Sequence, residues 1–286
     1  MATPVLIAAS GMAGRGEEAF IGHTLDRLDA SSTTPYVLVN GVGENGSHAD
    51  QTAEVARSFG AEVLLFEEQG KLPALQEGFK HLGAQALGPV LLLDADSEPL
   101  FPRTWSKIMT NPLEVADGPA AVSGLTSWSG LPRAERVLRG ARGYHRAVQA
   151  RQAGSSSEVY GRNMAVKFEN DDVLNAVLEL PHVWPGEDRL LADITVEHGG
   201  TVTQLIDPRS LVRSSARYVA PLTGIGAKLL LRKDQPAPET SWMERYIDRA
   251  APGVTHVYHH GRLETIEDVR AQYEKWVAET TVPRAA

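Results

Sequence analysis

Asp94 and Asp96 flank Ala95 directly after the apolar run Val90-Leu91-Leu92-Leu93. Two carboxylates at a strand end can offer hard oxygen ligands to Mg²⁺ or Mn²⁺, an ion that keeps some of its waters and is shared with substrate phosphates. The plain alternative is a polar turn that ends a strand. Glu187-Asp188 is a second acidic pair, and Pro185-Gly186 just before it marks a helix start, where the helix dipole favours acids. Gly41-Val42-Gly43-Glu44-Asn45-Gly46 is a G-x-G-x-x-G that follows a strand, with Glu67 and Glu68 at the end of the next one, which is the outline of a dinucleotide site. The spacing opposes that reading. In the dinucleotide fingerprint the helix opens inside the glycine run and holds the pyrophosphate at its N-terminus. Here Ser47 is the expected cap, so the helix starts after the last glycine.

Two further clusters carry chemistry-bearing residues. Arg133, Arg136, Arg139, Arg142, Arg146 and Arg151 stand against Glu135 alone, a local charge of +5 in an acidic chain. A lipid phosphate or a membrane surface could dock there, but a solvated helix face is the commoner meaning of a charge run. His256, His259 and His260 form an H-x-x-H-H group, read as a surface tail. Of the tryptophans, Trp105, Trp128, Trp184 and Trp242 read mostly as core.

These residues need a scaffold, and the chain is long enough to build one. It has 286 residues, 42% of them hydrophobic, enough for one large domain or two small ones. The absence of cysteine excludes disulfides, thiolate catalysis and cysteine-ligated metals. A net charge of −8 argues against a chain-wide nucleic-acid footprint, so no nucleic-acid partner is expected. No apolar run reaches the ~18 residues needed for a membrane span, and the first residues lack the basic segment of a secretory signal. The expected location is cytoplasmic, with peripheral membrane contact through 133–151 as an option.

Short apolar runs alternate with helical patterns through the first ninety-odd residues. Val5–Ala9, Tyr36–Val39, Glu62–Phe66 and Pro89–Leu93 read as strands. Glu17–Leu28, a segment from Ser47 to about Phe59, and Leu72–Leu82 read as helices between them. This alternation predicts a parallel sheet covered on both faces, with ligands beyond the carboxyl ends of the strands. Asn40, Glu67 and Asp94 fall at such ends. Ala120–Leu125, Val159–Val166 and Thr201–Ile206 are later strand candidates. Leu263–Val277 reads as an amphipathic helix, and Asp234–Pro238 as a short linker.

Taken in order, these segments resemble family 2 glycosyltransferases with the GT-A fold. Glu17-Glu18-Ala19-Phe20-Ile21 is similar to that family's N-E-E-x-x-I segment, although Gly16 stands where the family has Asn. Asn40-Gly41 followed by Asp50-Gln51-Thr52-Ala53-Glu54-Val55-Ala56 is similar to its N/D-G…D-x-T-x-x-x-A segment. Gly70-Lys71 with Ala74-Leu75 is similar to G-K-x-x-A-L, and Asp94-Ala95-Asp96 to the D-x-D. Gly161-Arg162-Asn163-Met164-Ala165 resembles G-x-N-M-A, Gly186-Glu187-Asp188 with Leu191 resembles E-D-x-x-L, and Ser214-Ser215-Ala216-Arg217 resembles a late S-A-R. The resemblance covers roughly residues 4–218.

The resemblance implies an α/β, GT-A type fold: a mostly parallel, Rossmann-like sheet with helices on both faces. Residues 1–218 would form the transferase domain, with 1–96 as the nucleotide-sugar half and 97–218 as the acceptor half. Residues 219–286 would be a mainly helical C-terminal extension. It further implies a metal-dependent transfer of sugar from a nucleoside-diphosphate sugar to an acceptor hydroxyl or lipid phosphate, inverting the anomeric centre. Asp96, with Asp94, would hold Mn²⁺ or Mg²⁺. Ala9, Glu17, Asn40, Lys71, Asp94, Asp96 and Asn163 would bind the donor. Asp188, with Glu187 beside it, would be the general base. The acceptor (glycan, small molecule, protein or lipid phosphate) and the oligomeric state stay open. Three alternatives remain: an NAD(P)-dependent oxidoreductase using the 41–46 loop, a sugar nucleotidyltransferase, and a non-catalytic nucleotide-sugar-binding protein.

Overall fold

The computed structural model describes residues 2–10, 17–41, 51–68, 70–131, 133–153, 162–183, 186–215, 254–259 and 262–280. Its centre is a seven-stranded sheet in the order β3-β2-β1-β4-β8-β6-β9. The strands are β1 (Thr3–Ser10), β2 (Thr33–Asn40), β3 (Glu62–Phe66), β4 (Val90–Asp94), β6 (Ala120–Ser123), β8 (Asn163–Lys167) and β9 (Thr201–Gln204). β8 runs antiparallel to both of its neighbours, β4 and β6. The other pairings are parallel. The architecture is therefore α/β with a mostly parallel sheet, as the alternation of the first segments predicts.

Helices cover both faces, which is why the central strands read as unbroken apolar runs. On one face α3 (Lys71–Leu82), α6 (Asp171–Leu178) and α7 (Glu187–Glu197) pack Leu72, Leu75, Phe79, Val177 and Leu191 against Leu6, Leu38 and Leu92. On the other, α1 (Glu18–Asp26), α2 (Thr52–Ser58) and α4 (Pro102–Glu114) pack Ile21, Ala56, Trp105 and Met109 against Val5, Ile7, Val37 and Leu93. Alternate residues of each strand thus serve alternate cores. α5 (Arg133–Ala153) is the arginine-rich helix; Arg136 and Arg146 are exposed on it.

Several short elements differ from the expectations. A small sheet of β5 (Ser97–Pro99), β10 (Val212–Ser215) and β7 (Thr126–Ser129) lies beside the main one. Its strands are three or four residues long and largely polar, so no periodicity announces them. α2 starts at Thr52 after Gln51, beyond the glycine run, while residues 42–50, Ser47 among them, lie outside the described residues. The strand expected at Val159–Val166 is Asn163–Lys167. In the C-terminal part, β11 (His256–His259) and β12 (Arg262–Thr265) form a hairpin ahead of α8 (Ile266–Thr280). The described portion of 219–286 is thus a hairpin plus a helix; His256 and His259 lie on a strand rather than a tail, and His260 lies outside the described residues. The domain boundary at 218, the linker at 234–238, Trp184, Arg217 and Trp242 lie outside the described residues.

Candidate active site

The carboxyl ends of β1, β2 and β4 meet at one edge of the sheet, because the register pairs Ser10 with Asn40 and Ala8 with Asp94. Asn40, buried at that edge, donates its amide Nδ2 to the Ala9 carbonyl at 2.8 Å. Its Oδ1 accepts from the Gly70 N–H at 3.4 Å. Asn40 therefore ties the end of β1 to the start of α3, where Lys71 is the first helical residue. Glu17 sits at the head of α1, its carbonyl accepting from the N–H groups of Phe20 and Ile21 at 2.9 Å.

Lys71 is the pivot. Its Nζ donates to Asp94 Oδ1 at 2.6 Å and lies 3.7 Å from Glu187 Oε1. A residue at the end of β4 and one at the head of α7 thus converge on the ammonium at the head of α3. Asp188 adds its field to the same group. Burial alone would lower the Lys71 ammonium, but Asp94, Glu187 and Asp188 outweigh it and hold Lys71 well above the usual lysine range. Burial pushes the Glu187 carboxyl up to about 7; Lys71 opposes the shift while Asp188 and Asp94 reinforce it. One cation facing three carboxylates leaves the cluster short of positive charge.

The local backbone is built for this meeting. Gly70 and Gly186 precede the two helices at φ +132° and +104°, a region that L side chains rarely adopt. A Cβ on Gly70 would lie 1.9 Å from Nε2 of the buried His182, and a Cβ on Gly186 would lie 2.3 Å from the Tyr258 carbonyl oxygen. Asp188 Oδ1 accepts from the Arg189 N–H at 3.0 Å.

Asp94 and Asp96 face different surroundings. Asp94 belongs to the Lys71 cluster. Asp96, whose carbonyl accepts from the Ser215 N–H at 3.1 Å, lines a cleft of about 360 Å³ between α1 and the small sheet. Phe20, His23, Thr24, Glu98 and Arg213 share that cleft, and Glu98 accepts from Arg213 Nε at 2.6 Å. Among the described residues no three His, Asp or Glu side chains are grouped as a cation cage. One oxygen of Asp94 is already engaged by Lys71. The donor set therefore fits a divalent ion that arrives with phosphate and water ligands, and it does not fit a closed all-protein site.

Asn163 is fully buried at the start of β8. Its Nδ2 donates to the Leu125 and Ser210 carbonyls, each at 2.7 Å, and its Oδ1 accepts from Trp105 Nε1 at 3.1 Å. Both amide donors are thereby used inside the protein, which matches a satisfied strand-end amide. Trp128 is not core: the Arg162 guanidinium stacks over it, 4.3 Å from the ring centroid. Sequence reasoning missed two residues, His182 and Tyr258, and one contact, that of Lys71 with Glu187. The meeting of Lys71 with Glu187 joins residues far apart in the chain, and only a lysine at a helix start, against the dipole, hinted at it. His182 and Tyr258 gave no sequence signal.

No protein-family model matches the chain, and none of the curated proteins matches it. Among solved structures, glucosyl-3-phosphoglycerate synthase from Mycobacterium tuberculosis, in complex with Mn²⁺, UDP and glucosyl-3-phosphoglycerate, is similar with a TM-score of 0.46 and 21% identity, over 83% of this chain and 81% of that one. A mannosyltransferase from Pyrobaculum calidifontis, in complex with GDP-Man and Mn²⁺, is similar with a TM-score of 0.48 and 15% identity, over 99% of this chain and 77% of that one. A mycobacterial protein is similar with a TM-score of 0.44 and 18% identity over 75% of this chain, which spans 65% of that protein's length.

Proposed function

We propose that the protein is a nucleotide-sugar glycosyltransferase that inverts the anomeric centre, with Asp188 as the general base. The observation that supports this most directly is the bridge made by Lys71, 2.6 Å from Asp94 and 3.7 Å from Glu187. It joins the acidic end of β4 to the acidic start of α7 at the edge of the sheet where α/β folds place their ligands. Sugar transfer needs a centre of this composition: acidic groups that would hold a cation beside the departing diphosphate, and a base near the acceptor hydroxyl.

Each residue then has a part. Asp96 would hold the divalent ion, and Asp94, engaged by Lys71, would assist it from the adjoining cluster. Mn²⁺ or Mg²⁺ bound there with the diphosphate would offset the negative charge that develops on the leaving group. Ala9, Glu17 and Asn40 would lie on the nucleotide side. Asn40 contributes chiefly by holding the start of α3, so that Lys71 keeps its place. Asp188 takes the proton from the acceptor hydroxyl as that oxygen attacks the anomeric carbon. Glu187, buried against Lys71, screens the base from a second full negative charge as it takes up a proton near neutrality. The exposed arginines of α5 suit an anionic acceptor or a lipid surface better than a neutral one. No helix among the described residues is long and apolar enough to cross a membrane.

The test is a thermal-shift screen of nucleoside diphosphates and their sugars, with and without Mn²⁺, followed by turnover of the donors that bind. A ligand at one hundred times its Kd should stabilise the protein by about 2.7 kcal/mol. Mn²⁺-dependent stabilisation by UDP or GDP is expected, with NAD and nucleoside triphosphates giving less. Stabilisation by NAD alone, or wild-type turnover in both Asp96→Ala and Asp188→Ala, would refute the proposal.

A further inference from the structure

The C-terminal hairpin lies directly on the segment that presents the acidic pair. The N–H groups of Thr255 and His256 both donate to the His182 carbonyl, at 3.0 and 3.1 Å. Val183 pairs with His256 as an isolated parallel bridge. Tyr258 reaches α7 twice. Its carbonyl oxygen occupies the space where a Cβ on Gly186 would sit, and its hydroxyl donates to Asp193 Oδ2 at 2.5 Å. Its ring is buried in the same core as Val183 and Leu190. One residue therefore holds both the glycine that precedes α7 and the second turn of that helix, and Glu187 and Asp188 lie between the two points.

α7 does not need the hairpin to remain a helix. Leu190, Leu191, Ala192 and Ile194 already anchor it to the sheet. What the hairpin adds is control of the left-handed turn at Gly186, the joint that sets where the first two side chains of the helix point.

We infer that Tyr258 is a positioning residue for the reaction: the hairpin it belongs to clamps the Gly186 turn and thereby aims Asp188 and Glu187 into the site. This rests on the base role proposed for Asp188. The C-terminal segment is then part of the catalytic centre even though it supplies no reacting group.

The test uses the 286-residue chain in four forms: wild type, Tyr258→Phe, Asp188→Asn and the double variant. Tyr258→Phe keeps the ring and removes only the hydroxyl. The readouts are Mn²⁺-dependent release of UDP or GDP from the donor sugar that gives the largest thermal shift, the Kd of the matching nucleoside diphosphate, and amide hydrogen exchange over 182–193. A small misplacement of a reacting group costs up to about 100-fold in rate. Tyr258→Phe should therefore lower kcat about 10-fold and leave nucleotide affinity unchanged, with faster exchange at 186–190. In the Asp188→Asn background it should lower kcat no further, because two residues acting as one unit are not additive. A purely structural role would weaken nucleotide binding and kcat together and would still add in the double variant; either result overturns the inference. Loss of turnover in Asp188→Asn with full turnover in Tyr258→Phe overturns it while sparing the base assignment. Absence of wild-type turnover on every donor, or wild-type turnover in Asp188→Asn, overturns the base assignment and this inference with it.

Discussion

The heads of α3 and α7 are built alike and charged oppositely. Each follows a glycine at positive φ, +132° for Gly70 and +104° for Gly186, and each glycine is pressed by a neighbour that leaves no room for a Cβ. α7 then opens with Glu187 and Asp188, in accord with the dipole. α3 opens with Lys71, against it. A cation at a helix N-terminus is an electrostatic mismatch locally. It becomes favourable only because Asp94 and Glu187 lie within 2.6 and 3.7 Å. The mismatch at one helix is thus resolved by the excess at the other. A local rule broken in this way is what a functional or strained site is expected to show.

The strongest way to sharpen the contrast is to neutralise Asp188, the base proposed on α7. Asp188→Asn should lower turnover by about 100- to 10,000-fold, the usual contribution of a general base, while the nucleotide Kd stays within a factor of two or so. Next, Lys71→Met removes the only cation of the cluster named here and leaves partly buried carboxylates facing one another. That should cost about 3 kcal/mol of stability by denaturant unfolding, with donor binding lost as well. If Lys71→Met were as stable as wild type, the two helix heads would be independent. The two glycines separate next. Gly186→Ala meets a main-chain oxygen that cannot step aside and should cost about 2–3 kcal/mol; Gly70→Ala meets a side chain, His182, and should cost less. Equal losses would contradict the reading of the hairpin as the stiffer support.

Acidity distinguishes the heads further. Glu187 titrates near 7, above its unfolded value, so its contribution to stability is full below about pH 4.5 and is lost as the pH rises through 7. Lys71 is also raised, so its contribution is present below the ordinary lysine range and is lost only above it. Melting temperatures measured from pH 4.5 to 8 should therefore fall more steeply in wild type than in Glu187→Gln. A parallel pair of curves would remove Glu187 from the cluster. The smallest effects belong on the outer turns. Glu77→Ala on α3, breaking the exposed pair with Lys80, should cost less than about 0.5 kcal/mol. A larger loss would mean that the outer surface of α3, too, is under tension.

How much of this could be read from the chain follows from range. The four strands of the first half announce themselves because both of their faces are buried, and Asp94 and Asp96 stand out as acids at the end of such a run. The positions of Asn40, Lys71, Glu187 and Asp188 along the chain were visible through their motifs. Their mutual distances were not. Lys71 and Glu187 come together only after α7 docks on the same face of the sheet as α3. β5, β7 and β10 were illegible for a different reason. Segments such as Thr126–Ser129 and Val212–Ser215 carry no apolar alternation and exist only because they pair with one another across some 85 residues. The hairpin reads as tail and helix because the helical pattern of α8 runs backward into Leu263, and nothing local marks the docking of Tyr258 onto Gly186, 72 residues earlier.

The reversed strand β8 has a consequence for synthesis. β4 is Val-Leu-Leu-Leu-Asp, and its free side is closed only by β8, made about seventy residues later. Until the ribosome has delivered Asn163–Lys167, a nascent chain displays an apolar ribbon with unpaired amides, the kind of edge that recruits other strands. Fragments cut after the first four strands should therefore clump more readily than the whole chain, and the polar, arginine-laden stretch made in between serves as a spacer beside the exposed edge until its partner arrives.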